Sequence, residues 1–474
     1  MKKFLNLLVV FLSFIMLFGC DGGISTPDTP DNPKGDDDPI IETHDGKVEI
    51  FAINDTHGAI KTDGTTPGME KVQSVIKSIE KSSSLIKVAN GDIFQGGYVS
   101  NETHGRVFID VLNAMKFDCF VIGNHEFDWG FEEISKYKDG NLENGEADFP
   151  FLGANIVDKR TNEKPEWLDD YVVVENNGFK VGIIGVIGEH LTSSIAADKV
   201  ANYTFMDPVP IVENLAEELR VEKKCDVVVI STHEYESSTN ERYARLENNS
   251  RIDGIICAHT HQYVEDTLTR TDGVNISAIQ SNTKNLTVGL LTINLKDSKV
   301  TSSNAKHYKP INYENDEGIL KILDNYSTYF DLSNKKIGHT NSALSRDALG
   351  AIAIEAMTNI HKTDFAIMNT GGVRTTIPAG DIYAKNIYEC FPFDNEIYII
   401  TLKGYKLKEL ISRSGDYLYY NCSYYELEEN KEYKIAVIDY VFTGTYYTYC
   451  FEGIVPEKTG AYIKDAVVEY FRNK

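Results

Sequence analysis

The stretch Val121-Ile122-Gly123-Asn124-His125-Glu126-Phe127-Asp128 decides how this chain is read. It sets a neutral oxygen ligand, an imidazole and a carboxylate directly behind an apolar strand: Asn124 as a metal ligand, beside an acid/base pair of His125 and Asp128. Four further segments end in the same way. Asp55 and His57 follow the apolar run 48–53, Asp92 follows 86–89, His233 follows 227–230, and His259 with His261 follows 255–258. Each run is short, rich in Val and Ile and bounded by polar residues, as buried strands of an α/β sheet are. The candidate ligands therefore fall at carboxyl ends of strands, where open α/β sheets place their active sites.

Carboxylate oxygens and imidazole nitrogens in this pattern suit a pair of divalent cations about 3.5–4 Å apart bridged by one carboxylate. Asp92 is the natural bridge, since Gly91 in front of it frees the backbone to deliver the side chain. Asp55, His57 and His261 are assigned to one ion and Asn124, His233 and His259 to the other, which leaves each ion a position for water and substrate. Asp128 lies three residues beyond His125, close enough to orient its ring, so that His125 can stabilise a transferring phosphoryl group or protonate a leaving oxygen. A lone Asp-x-His or His-x-His is common in surface loops; five such segments in order are not. His44, His104, His190, His307, His339 and His361 lack ligand company and read as surface or capping residues.

With these residues in hand, the chain resembles a bacterial 5′-nucleotidase of the calcineurin-like metallophosphoesterase superfamily from about residue 48 to its end. Asn54-Asp55-Thr56-His57-Gly58, Gly91-Asp92, Gly123-Asn124-His125-Glu126-Phe127-Asp128, His233 and His259-Thr260-His261 stand where that family carries its dimetal ligands and His-Asp dyad. Ala258 replaces the usual glycine before the His-x-His. The resemblance implies an α/β fold, a two-sheet αββα sandwich followed by a smaller α+β substrate-binding domain, with two divalent ions (Zn, Mn or Fe/Zn) as cofactors. It also implies a nucleoside-binding role for the second domain. Asn369-Thr-Gly371-Gly372-Val-Arg374 resembles the family's Asn-Gly-Gly-Gly-x-Arg loop, with Arg374 toward phosphate or the nucleotide edge, and Leu349-Gly350 resembles its Gly-Asn-Leu helix start. Phe393 and Tyr440 stand for the two rings that sandwich the base. Asp439-Tyr440 through Gly444 to Tyr446 replaces the family's Phe followed by Gly-Gly-Asp-Gly, which removes the ribose-binding aspartate, and Ala343 occupies the place of an arginine for which Arg346 is the nearby substitute. These departures spare the hydrolytic residues and bear on substrate identity. Ten of the 27 tyrosines fall between 417 and 449; apart from Tyr440, strand packing is their default reading.

Lys2 and Lys3, an apolar run from Leu5 to Phe18 and the pair Gly19-Cys20 resemble a bacterial lipoprotein signal that leaves Cys20 as the lipidated terminus. Residues 21–46 are Pro-, Gly- and acid-rich and read as an unfolded tether. The remaining boundaries are expected at 47–305 for the metal domain, 306–333 for an amphipathic connecting helix, and 334–474 for the second domain. A net charge of −24 disfavours nucleic-acid binding and is compatible with nucleotide hydrolysis, because divalent cations reverse the charge locally. Cys119, Cys225 and Cys257 read as core residues; no disulfide is assigned, and Cys422 with Cys450 is the pair if one forms.

The expectation is an extracytoplasmic, lipid-anchored phosphohydrolase acting on nucleoside 5′-monophosphates for salvage, with no obligate protein partner. Two alternatives stand beside it. One is cleavage of 2′,3′-cyclic nucleotides or of nucleotide-sugar pyrophosphate by the same metals. The other is a surface binding lipoprotein with structural metals, against which the acid/base pair argues.

Overall fold

In the first strand, Gly46–Ile53, Val48, Ile50 and Ala52 enter one buried cluster while Phe51 and Ile53 enter another. Both faces of the sheet are covered, as the unbroken apolar run requires. The computed structural model describes residues 44–444 and 446–474; the expected signal peptide, Cys20 and most of the tether fall outside these. Residues 44–474 form one compact unit.

A seven-stranded sheet carries, in spatial order, Lys299–Tyr308, Val288–Lys296, Gly46–Ile53, Ile86–Asn90, Cys119–Val121, Phe151–Leu152 and Leu168–Asp169. From Gly46–Ile53 onward these pair in parallel, and the two late strands close the edge antiparallel. A six-stranded sheet runs Val264–Thr269, Asn275–Gln280, Gly254–Ile256, Val227–His233, Phe179–Ile187 and Tyr171–Asn176. The two sheets face each other across a layer built from Val48, Ile50, Val88 and Val121 on one side and Val181, Ile183, Val229 and Ile256 on the other. Helices Met69–Glu80 and Arg106–Met115 cover the outer face of the first sheet, and Pro208–Val221 covers that of the second. This is the expected αββα sandwich. Pro208–Val221 begins where Asp207 caps the Val209 N–H, with Pro208 in the first turn, where its missing N–H costs nothing.

The segment expected as one connecting helix is broken: Glu317–Leu323 and Ser327–Ser333 are joined by a 3₁₀ turn at Asp324–Tyr326. Beyond it lies the smaller α+β part. Its mixed five-stranded sheet is ordered Leu418–Tyr420, Phe365–Asn369, Glu432–Ile438, Glu396–Lys403 and Glu457–Tyr462. Helices Arg346–His361, Gly404–Ser414 and Ile463–Arg472 pack a separate apolar core on it. The Cys422–Cys450 bridge does not form; all six described cysteines are free thiols, and Cys119, Cys225 and Cys257 are core residues. His307, read as a surface residue, instead turns inward to bond Glu265 and the Gln280 carbonyl. No helix among the described residues is long and apolar enough to cross a membrane.

The two parts meet through Tyr98–Glu102, a one-turn helix beside the metal loops. Asn101 donates to the Pro392 carbonyl at 2.8 Å while its own carbonyl accepts from Gly96 N, and Tyr388 donates to Glu102 at 2.9 Å. The loop behind His57 is thereby tied to the segment that carries Phe393.

Candidate metal centre and substrate cleft

All the proposed ligands sit where strands end, and the backbone there is unusual. Asp55, His57, Asp92, His259 and His261 all adopt positive φ, between 46° and 76°, a conformation that costs a non-glycine residue about 1–3 kcal/mol and persists only where surroundings impose it. Here they do: Asp55 N bonds the Gly91 carbonyl, His57 N bonds the Asp92 carbonyl, and His259 N donates to the Asp55 carboxylate at 3.0 Å. Gly91 is required by both conformation and space, with φ at +72° and His233 Nδ1 2.4 Å from where a Cβ would stand.

Around Asp92 the side chains converge. His233 Nε2 lies 3.1 Å from its Oδ2, while His57 Nε2 and His125 Nε2 each lie 4.0 Å away. His57 Nε2 and His261 Nε2 face each other at 3.0 Å, and His261 stands 3.5 Å from Asp55 Oδ1. His259 Nδ1 is 2.9 Å from Asn124 Oδ1. Three groups of these residues hold their ligand atoms within 4.8 Å of one another: Asp55, His57 and His261; Asp92, His233 and His259; and His57, Asp92 and His125. The first two coincide with the division made from the sequence, apart from Asn124. The third brings in His125, whose Nδ1 is committed to Asp128 at 2.8 Å.

Whether these residues fit cations is decided by their hydrogen bonds. His57 Nδ1 donates to the Gln95 carbonyl at 3.2 Å and His233 Nδ1 to the Asn90 carbonyl at 2.9 Å. A backbone carbonyl can only accept, so each ring keeps its proton on Nδ1 and aims the Nε2 lone pair inward. In His233 that lone pair meets a carboxylate, and in His57 it meets another imidazole. An added positive charge, a proton or a metal ion, satisfies both. The ionisation preferences agree. Burial pushes His57 well below its usual range and, with neighbouring histidines, His259 and His261 down to about 4, while burial lifts Asp55 to about 7. Burial opposes charge on Asp92 too, but His233, His125 and His57 outweigh it and hold the carboxyl well below its ordinary value. His125, against its burial, is raised to about 9 by Asp128 and Asp92. The residues fit a dimetal centre.

Glu126 belongs to the opening motif, yet nothing in the sequence alone assigned it a role. Fully buried, it accepts from Asp92 N, Gly123 N and Ile93 N at 2.8–3.0 Å and so binds the two metal loops together. Asn54 does the same on the other side, donating to Asp55 and to the Ser281 carbonyl.

Two cavities flank the centre. One of about 270 Å³ is lined by Asn124, His125, Asp128 and His259 from the metal side and by Asn369, Gly371, Arg374, Phe393 and Tyr440 from the other. Phe393 stacks near His125, with ring centroids 5.5 Å apart, and Arg374 lies over the Phe393 ring at 5.7 Å. Gly372 packs against Met368 and Asn369. The other cavity, about 360 Å³, lies on the His57 and His261 side and carries Lys284, Arg346 and Arg374. Lys284 had no place in the sequence reading. Arg346, which lines this cavity, donates to the Val373 carbonyl at 2.6 Å. Asp439 is spent on structure, bonding Asn395 and Tyr440 N.

Residues 48–263 match the family model for calcineurin-like phosphoesterases, and residues 322–424 match that for the 5′-nucleotidase C-terminal domain. The chain belongs to the 5′-nucleotidase family. That places it among the metal-dependent phosphoester hydrolases. It is 23% identical over 428 residues to a 5′-nucleotidase of Vibrio cholerae, an alignment covering 77% of this chain and 75% of that one. It is 28% identical over 403 residues to the endonuclease YhcR of Bacillus subtilis, covering 77% of this chain but only 32% of that relative's length. Its fold is similar to the crystal structure of a 5′-nucleotidase precursor from Thermus thermophilus, with a TM-score of 0.75 at 19% identity over 90% of this chain and 96% of that one.

Proposed function

We propose that this member of the family releases phosphate from nucleoside 5′-monophosphates, with Asp55, His57, His261, Asn124, His233 and His259 as ligands and Asp92 shared between two divalent ions. The observation that carries the reading is a single cavity whose walls are the His125–Asp128 pair, Arg374 and the rings of Phe393 and Tyr440: phosphate chemistry and base recognition share one enclosed space. When bound, the two cations supply Lewis acidity, polarising the phosphoryl group and making water a nucleophile near neutral pH. His, Asp and Asn ligands suit Zn, Mn and Fe alike.

The protein's own groups do the rest. Asp128 fixes the His125 ring through Nδ1, which leaves a protonated Nε2 to neutralise the transferring phosphoryl group and to give its proton to the departing ribose oxygen. Arg374, planar and permanently charged, orients phosphate oxygens. Phe393 and Tyr440 supply flat apolar faces for the base, with Asn369 and the Gly371-Gly372 turn forming the polar edge. Rotation of the smaller domain about the helical connector at 306–333 would carry substrate to the metals, a gating step of the lid kind. The basic and apolar start of the chain with Cys20 supports export and a lipid anchor, which would put the reaction on the outer side of a bacterial membrane and in nucleotide salvage.

The test is phosphate release by the metal-loaded protein from AMP, 2′,3′-cyclic AMP and UDP-glucose, with product analysis. Rapid release from AMP supports the reading, and silence on AMP with cleavage of either other substrate overturns it. The cation-lined cavity of Lys284, Arg346 and Arg374 favours a second reading, hydrolysis of a nucleotide-sugar pyrophosphate, because it offers room and charge for a second phosphoryl group.

A further inference from the structure

A further cavity at this end of the molecule, about 800 Å³, does not touch the metal centre. It shares Ser193, Asn369, Gly371 and Tyr440 with the 270 Å³ chamber, but none of Asn124, His125 or His259 reaches it. The two chambers therefore lie in series. The inner one abuts the metals, and the outer one begins on the far side of Tyr440. Ligand pockets for drug-sized molecules run from about 300 to 1,000 Å³, so the inner chamber has room for one nucleotide at most and the outer one is ample for a further ring system.

Its chemistry is selective. Tyr417, Tyr446 and Tyr447 join Tyr440 on its walls, together with the apolar residues Ile195 and Ala197 from the metal domain. Tyr417 and Tyr446 are 71% and 66% exposed, so their rings are free to take a partner. In a chain of net charge −24, no carboxylate lines this chamber among the described residues, and its one charged side chain is Lys159. Flat aromatic faces with a cation and no anion are what stacks a nucleobase and tolerates its phosphate.

We infer that the outer chamber is a binding site for a second nucleotide unit, so that 5′-phosphorylated dinucleotides are substrates and are preferred to mononucleotides. The inference rests on the nucleotidase reading above. Its direction follows from the order of the chambers: with the 5′-phosphate at the metals and the first base beside Phe393 and Tyr440, only an extension from the nucleoside end can enter. Hydrolysis of the terminal ester consumes one water and yields inorganic phosphate and the dephosphorylated dinucleotide. The strongly negative chain limits this to short ligands, since a long polyanion would be repelled.

The experiment compares phosphate release from AMP and from the 5′-phosphorylated dinucleotide pApA by the metal-loaded protein and its Tyr417→Ala and Tyr446→Ala variants, with p-nitrophenyl phosphate as a control for the metal centre. Both tyrosines are exposed, so neither change threatens folding. The expected result is a kcat/KM for pApA about ten-fold above that for AMP, with a loss of about ten-fold on pApA and less than about two-fold on AMP in either variant, the size of one stacking contact. Refusal of pApA while AMP is cleaved overturns the outer site and leaves the nucleotidase reading standing, as does an equal effect of the variants on both substrates. Silence on both with p-nitrophenyl phosphate still cleaved removes the two readings together.

Discussion

On the metal side of the cleft, Asp55, Asp92, Asn124, Glu126 and His233 are all at most 1% exposed, and backbone held at positive φ is tied down by hydrogen bonds from neighbouring loops. On the opposite wall, Phe393 and Tyr440 are half-buried and Tyr417 and Tyr446 stand open. The contrast matches the chemistry proposed for each wall. Divalent ions demand ligand atoms at fixed distances, so the loops are cross-braced and strained residues are tolerated for the sake of position. A base offers only a flat face, which several rings can meet in several ways, so the second wall needs area more than placement.

Changes on the braced wall should be severe. Asp92→Asn, which removes the carboxylate common to two ligand groups, should abolish phosphate release and reduce bound metal from two ions to one or none by elemental analysis; a variant with full metal and activity would dissolve the proposed centre. His125→Ala should cost about 10²–10⁴ in kcat with metal content intact, and unaltered turnover would strip that residue of its role as acid. Glu126→Gln keeps the shape but weakens three charge-assisted bonds to the metal loops, so metal affinity, read by competition with a chelator, should fall about 10–100-fold. If affinity did not move, the bracing would be incidental.

The open wall should yield more gently. Tyr440→Leu should raise KM for AMP about three- to ten-fold at nearly constant kcat, the scale of one aromatic contact; a kcat collapse would mean that this ring shapes the metal wall as well. Smallest of all, Ser345→Ala removes the cap on the Ala348 N–H at the start of the helix that carries Arg346. It should lower unfolding stability by about 1 kcal/mol and leave kcat untouched.

Legibility followed the same division. Short Val- and Ile-rich runs ending in Asp, His or Asn announced both the strands and the cluster of candidate ligands at their ends, because a parallel strand buried on both faces needs an unbroken apolar run and its carboxyl end is where chemistry is placed. Glu126 stood inside the quoted motif yet went unread, since a carboxylate that only accepts backbone N–H groups looks in sequence like a further ligand or a surface acid. Apart from Tyr440, strand packing is the default reading of the tyrosines from 417 to 449. That holds for Tyr433, which is buried in its strand, but not for Tyr417, Tyr446 and Tyr447, which line a cavity. The break at Asp324–Tyr326 was equally invisible, because the apolar spacing on either side of it is helical.

By itself the sequence determined the two-part α/β architecture, the order of the Asp, Asn and His motifs at strand ends and the proposal that His125 and Asp128 act as a pair, because period-2 and run-length patterns and residue types are local properties of a chain. Only the tertiary structure decided which imidazole nitrogen faces inward, that Lys284 and Arg346 share a wall with Arg374, and that the cleft has a second chamber. Those depend on residues brought together from distant positions, and no local pattern records the distance between them.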